Sequence, residues 1–261
     1  MSVKIHPQAL VEKGAILEEG VVVDKGAIIR KDAYIGKGCY IGPYALIEGS
    51  VRLGENCRIS SYAVIGSCSQ DLKYKGDKTY VKIGKNNVIR EFVTINAGTE
   101  PESSTVIGEG NLIMAYSHIA HNCNIGNNCI LANCATLAGC VEVQDNVVIG
   151  GLVAVHQFVR IGSYAIIGGC SKVVQDIPPY SLCDGHPAQV RGVNIIGLKR
   201  KGFSSQKIDI LKKVFKILFF SNLSFSGAIQ EIQKMNLASL QEVNNLISFI
   251  RSSKRGICRP K

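Results

Sequence analysis

Two of the five histidines in this 261-residue chain stand three apart, in Ser117-His118-Ile119-Ala120-His121-Asn122-Cys123. An imidazole ionises near pH ~6.5, so it can take and return a proton at neutral pH or, unprotonated, ligate a metal. His156-Gln157 supplies a third imidazole, and Asp71-Leu72-Lys73 puts an acid and a base on one side of an extended segment. Gly139 offers a backbone N–H with no side chain in the way, which suits an oxyanion donor; on spacing alone, glycine at a coil corner is the better account. A polar histidine on an exposed β-face is also common, though a second histidine nearby argues against that account. Residue types alone therefore admit a general base, a zinc site shared between copies, or an ordinary polar face.

One period dominates the elements that must position these groups. Aliphatic residues recur every six positions at Ile5, Val11, Leu17, Val23, Ile29, Ile35, Ile41, Ile47, Leu53, Ile59 and Ile65. They resume at Ile83, Ile89 and Ile95, then run unbroken from Ile107 to Val173. A period of six matches neither a helix nor the alternation of an ordinary strand. It marks a parallel β-helix of hexapeptide repeats: three hexads close one triangular coil, and coils stack at about 4.8 Å. The repeating aliphatics point inward, and glycines such as Gly54, Gly84 and Gly108, with Asn and Asp, serve the corners. His121 then occupies a surface-facing slot.

Two polar stretches lose the beat, near 67–80 and 96–105, and read as loop excursions, common homes for function. Ile177-Pro178-Pro179 ends the repeats, because consecutive prolines cannot donate to a ladder. Ser181 to Asn194 reads as a linker. Ser204 then caps a helix with an apolar face of Ile208, Leu211, Phe215 and Leu218, and Ala228, Ile229 and Ile232 mark another. Ser239-x-x-Glu242 is a capping box ahead of Val243, Leu246, Ile247 and Ile250. The expected division is a β-helix over 1–187 and a small helical domain over 188–261.

Composition narrows the class. Hydrophobic residues make up 46% of the chain, so a sizeable core is possible. No apolar run reaches the ~18 residues that cross a bilayer, and no signal-like stretch is visible, so a cytoplasmic protein without stable membrane insertion is expected. Cys39, Cys57, Cys123 and Cys129 fill a slot that holds Ala27, Ala33, Ala45 and Ala63 elsewhere; they read as core thiols, neither disulfides nor ligands. Residues 188–261 carry 14 Lys and Arg against 3 Asp and Glu, which is the whole excess of the +10 chain. An acidic partner should meet that segment.

Five further motifs are specific. They are Gln70-Asp71-Leu72-Lys73-Tyr74, His118-Ile119-Ala120-His121, Leu131-Ala132-Asn133 with Ala135-Thr136-Leu137-Ala138-Gly139, Ala154-Val155-His156-Gln157-Phe158, and Gly192-Val193-Asn194 with Gly197 to Phe203. Together, over essentially the whole chain, they resemble the acyl-carrier-protein-dependent UDP-N-acetylglucosamine O-acyltransferases of lipid A biosynthesis. The resemblance implies a mainly β protein, a left-handed parallel β-helix followed by a small C-terminal α-helical domain. That handedness departs from the usual right-handed crossover. It also implies a homotrimer with clefts between subunits, and transfer of an (R)-3-hydroxyacyl chain onto the glucosamine 3-position as the first step of lipid A synthesis. The acyl donor is the phosphopantetheine thioester of acyl carrier protein; no bound cofactor, metal or nucleic acid is implied.

By the same resemblance His121 is the base and Gly139 the oxyanion donor, while Asp71, Lys73 and His118 contact the sugar. His156 and Gln157 lie toward the acyl and pantetheine end, and Asn194, Arg200 and Lys201 hold nucleotide or phosphate. Gly169 matches the position that sets acyl length, and a glycine there leaves the groove open for a chain of about fourteen carbons. The chain departs from the family pattern at Asn122, where aspartate commonly follows the base, at Cys140 (often His), at Ile196 (often Glu) and at Asn96-Ala97 (usually His-Arg). These departures keep open a 3-amino UDP-sugar acceptor, whose amine needs less help from the base, and a catalytically silent scaffold. A γ-type carbonic anhydrase, with zinc on interfacial histidines, is the remaining alternative; a basic helical tail has no role in it.

Overall fold

The computed structural model describes residues 2–237 and 240–260. Short strands, most of them one outward residue followed by one repeating aliphatic, run from Lys4–Ile5 to Lys172–Val173. They line up as three parallel sheets that form the faces of a triangular prism, wound as a left-handed β-helix. The first face starts at Lys4–Ile5, the second at Leu10–Val11 and the third at Ile16–Leu17. Successive coils pair residues 18 apart, as in Ile5↔Val23 and His118↔Thr136. Ile65 pairs instead with Ile95 and Ile95 with Ile119, so the two excursions add twelve and six residues and leave the phase intact.

The inward columns are fully dry: Ile29, Ile47, Ile65, Ile95, Ile119 and Leu137 are all buried. β-branched side chains suit this arrangement because they lose little rotamer freedom on a pleated surface. The glycines after them answer to coil spacing. A Cβ on Gly54 would meet the backbone of Gly84 in the next coil, and neither glycine takes a positive φ. The left-handed corner positions are held instead by residues such as Asn56, Tyr44 and Asn122. Cys39, Cys57, Cys123 and Cys129 lie buried in the core. Burial pushes the Cys123 thiol up to about 12 and Cys129 to about 11, so both stay protonated.

The three faces differ in character. Outward residues of the third face are largely polar, including Arg52, Lys82, Asn124, Glu142 and Arg160. The first face carries an aliphatic row, Val88, Leu112, Ile130, Val148, Ile166 and Leu182. At the corner between the first and second faces, Tyr44, Tyr62, Phe92 and Tyr116 stack with ring centroids 5.3, 5.2 and 4.8 Å apart. All four rings are exposed.

Beyond the prolines the structure departs from the sequence reading. Ser181 to Asn194 is no linker: Ser181–Gly185 extends the first face, pairing Ile167 with Cys183, and Ala188–Val193 returns antiparallel beside it. The polar Gly-His-Pro turn disguised a hairpin whose first strand alternates buried and exposed residues. Helical structure begins at α1 (Ile195–Arg200), which sequence reasoning missed, followed by α2 (Ser205–Phe219), α3 (Phe225–Lys234) and α4 (Gln241–Arg251). The Ser204 side chain caps α2 by accepting from the Lys207 N–H. Ser239 of the expected capping box lies outside the described residues; α4 follows Leu240 without a side-chain cap. α4 lies over the third face, with the Arg160 guanidinium 4.4 Å from the Phe249 ring and 3.2 Å from the Ser252 carbonyl oxygen. Among the described residues no helix is long and apolar enough to cross a membrane.

Candidate active site

The chemistry-bearing residues converge at the corner between the second and third faces. His118 sits on the second face between Thr94 and Thr136, and its Nδ1 lies 2.7 Å from the Thr94 hydroxyl. Burial holds His118 below the ordinary imidazole range. The unfolded chain therefore binds a proton that the folded one refuses, and stability is lost as pH falls below about 6.5. His118→Gln should flatten the decline of the thermal midpoint between about pH 7 and 5. Melting curves of both proteins check this, and equal slopes would contradict it.

His121 opens the turn. Its Nδ1 is 2.9 Å from Asn122 Oδ1, and the same oxygen accepts the Thr99 backbone N–H at 3.0 Å. An amide oxygen can only accept, so the network assigns the proton of a neutral His121 to Nδ1 and leaves the Nε2 lone pair free. Asn122 itself takes a left-handed φ of 58° and donates its N–H to the Thr105 hydroxyl at 2.9 Å. Nε2 looks toward the first excursion, where Asp71 Oδ2 lies 3.7 Å away. That distance is too long for a hydrogen bond to a neutral ring, yet short enough to stabilise an imidazolium.

Gly139 lies one coil further on, 18 residues after His121. It does not take a positive φ, and a Cβ there would overlap Nε2 and Cε1 of His121. Glycine is needed because the imidazole packs against it. In the same hexad slot elsewhere, the amides of Lys31, Glu109, Asn127 and Ser163 donate to Glu12, Asn127, Asp145 and Gln144 oxygens at 2.9, 2.8, 2.7 and 2.9 Å. The Gly139 N–H makes no such bond among the described residues. It is an unoccupied donor in a slot suited to anions, directly beside the free nitrogen of His121.

Gln157 continues this column one coil beyond Gly139, with His156 before it; both are exposed, and the Phe158 N–H donates to the Gly139 carbonyl at 3.2 Å. Lys73 lies in the same excursion as Asp71 and donates its N–H to Asp71 Oδ1 at 2.9 Å. Cys140 also borders the site, its thiol pushed up by burial and then by the nearby Glu100 and Asp71 carboxylates.

Four expected residues are not brought to this corner. Asn194 N–H donates to the Tyr180 carbonyl, which places it with Arg200 and Lys201 at the corner between the third and first faces. Both polar atoms of the Asn194 side chain are engaged: Nδ2 donates to the Tyr164 carbonyl at 2.8 Å and Oδ1 caps α1 through the Gly197 N–H at 3.1 Å. Gly169 lies at the corner between the first and second faces, stacked on Gly151. Sequence reasoning missed Ser69, Thr94, Thr99 and Thr105; they are hydroxyl residues of, or beside, the irregular stretches, and only their contacts give them away. Among the described residues no group of three or more His, Cys, Asp or Glu side chains is arranged to hold a metal.

Fold and site together define a hexapeptide-repeat transferase. Residues 32–67 and 104–139 match the family model for bacterial transferase hexapeptide repeats, and residues 176–258 match that for the second domain of UDP-N-acetylglucosamine O-acyltransferase. The acyl-[acyl-carrier-protein]–UDP-N-acetylglucosamine O-acyltransferase of Burkholderia lata is 43% identical over 98% of this chain and 99% of its own. The corresponding protein of Nautilia profundicola is 47% identical over 78% of this chain and 79% of its own. The solved UDP-N-acetylglucosamine acyltransferase of Campylobacter jejuni superposes with a TM-score of 0.93 at 42% identity, covering 99% of this chain and 100% of that one. The chain belongs to this family of O-acyltransferases.

Proposed function

We infer that this acyltransferase moves a 3-hydroxyacyl chain from the pantetheine thioester of acyl carrier protein to the 3-position of UDP-N-acetylglucosamine. The observation that carries the reading is the His121–Gly139 corner: a free imidazole nitrogen beside an unoccupied backbone donor. A sugar hydroxyl is a poor nucleophile until a base removes its proton. His121 Nε2 takes that proton as the oxygen attacks the thioester carbon, and the Gly139 N–H meets the oxyanion that forms. The C–S bond then breaks, and the imidazolium returns its proton to the departing thiolate. Asp71, facing Nε2, stabilises the imidazolium while it lasts. Lys73 and His118 line the sugar side; His156 and Gln157 lie further along the column, toward the pantetheine.

The nucleotide end requires a second copy. Arg200 and Lys201 lie across the third face from their own His121, and α4 covers part of that face. The exposed aromatic ladder and the aliphatic row of the first face are the apolar surface that copies of the chain would share in a homotrimer. Assembly then sets the Arg200 and Lys201 cations of one copy toward the base of another. The basic C-terminal segment suits the acidic carrier. Asn194 supports this arrangement by capping α1, and Gly169, bare beside Gly151, leaves the acyl groove open to a long chain.

A second acceptor fits one observation. Asn122 is an amide, so no charge backs the base on its Nδ1 side. A 3-amino UDP-sugar, once neutral, attacks without needing a strong base. Purified protein incubated with a 3-hydroxytetradecanoyl carrier protein and each acceptor, with products read by mass spectrometry, should yield an acylated nucleotide and a free carrier thiol. Ester from UDP-N-acetylglucosamine supports the main reading, amide alone supports the second, and neither product contradicts both.

A further inference from the structure

Thr99 and Ser69 belong to different excursions, yet their hydroxyls lie 2.6 Å apart, buried at 3% and 7% exposure. Through them a polar ring closes around the base. His121 Nδ1–H and the Thr99 N–H both donate to Asn122 Oδ1, at 2.9 and 3.0 Å. The Asp71 N–H donates to Ser69 Oγ at 3.1 Å, and the Asp71 carboxylate returns to within 3.7 Å of His121 Nε2. The NH₂ of Asn122 has no hydrogen-bond partner of its own among the described residues. The Thr99 amide is therefore what decides which end of Asn122 faces the imidazole.

We propose that the Thr99–Ser69 hydroxyl pair is a positioning device that fixes the tautomer of His121 and the place of Asp71. The pair joins the two excursions, so the Thr99 N–H stays on Asn122 Oδ1 and the Asp71 carboxylate stays opposite Nε2. Without it the Thr99 backbone drifts and the Asn122 amide can turn over. Its NH₂ would then donate to Nδ1, the ring proton would move to Nε2, and the base would be lost. Buried hydroxyl pairs of this kind hold one arrangement because leaving either group unpaired is costly. The catalytic consequence rests on the acyl-transfer reading; the tautomer itself does not.

Thr99→Val keeps the size and the backbone N–H but removes the hydroxyl, Ser69→Ala removes its partner, and Thr99→Ser restores the bond. Imidazole ¹⁵N spectra, with the His121 signal assigned by its loss in His121→Gln, report the tautomer without any substrate. Wild type and Thr99→Ser should show the Nδ1–H form, and the other two variants a mixture. In the transfer assay Thr99→Val and Ser69→Ala should lose about tenfold in kcat, with KM for the acyl carrier protein within about twofold. The double variant should fall no further than the worse single, because both changes break one bond. An unchanged tautomer in both variants, a loss confined to KM, or additive losses would overturn the proposal. If wild type transfers no acyl group, the acyl-transfer reading fails, and the spectra still decide this one.

Discussion

His121→Ala should lower kcat/KM for acyl transfer about 10³-fold, roughly 4 kcal/mol of transition-state stabilisation. Among the described residues no other group at the corner can replace it. Asp71 Oδ2 lies 3.7 Å from Nε2, placed to face an imidazolium and not to replace the imidazole. His118 is desolvated and engaged with Thr94. The fold should be untouched, because the His121 ring sits at a surface corner while the neighbouring Ile119 and Cys123 carry the core. Steady-state kinetics with a melting curve as control checks both halves. A loss under about tenfold would remove His121 from the role of base.

Gly139→Ala should lower kcat about 10²-fold while shifting the melting midpoint by no more than a few degrees. The added methyl would overlap Nε2 and Cε1 of His121, so the ring must swing away from the acceptor. Backbone strain is not the cause, since Gly139 does not take a positive φ. The same change in a His121→Ala background should therefore cost less than about threefold. An equal loss in both backgrounds would place the damage in the backbone donor instead of the ring.

Much of this is legible in the amino-acid sequence. The six-residue beat specified the solenoid, and it survived both excursions because they add twelve and six residues, whole multiples of the period. His121, Gly139 and Gln157 are spaced by 18, one full coil, which is why an imidazole, a bare amide and a polar side chain form one column. Contacts across the excursions were not legible. Thr99 reaches Asn122, and Ser69 reaches Thr99, only because two irregular loops fold back on the same corner. The aromatic ladder was hidden for the same reason: Tyr44, Tyr62, Phe92 and Tyr116 are spaced by 18, 30 and 24, and become a column only once the insertions are placed. The hairpin after the prolines was masked by its Gly-His-Pro turn. The place of Asn194 at the head of α1 cannot be read from residue type.

On the proposed reading, the base comes from one copy of the chain and the nucleotide cations from another. Co-assembly of His121→Ala chains with Arg200→Ala/Lys201→Ala chains tests it most directly. Each variant alone should be nearly inactive. Randomly mixed assemblies should recover about a quarter of wild-type activity, because that share of sites pairs an intact base with intact cations. Mixed assemblies as inactive as their parents would contradict the claim and place the whole site within a single chain.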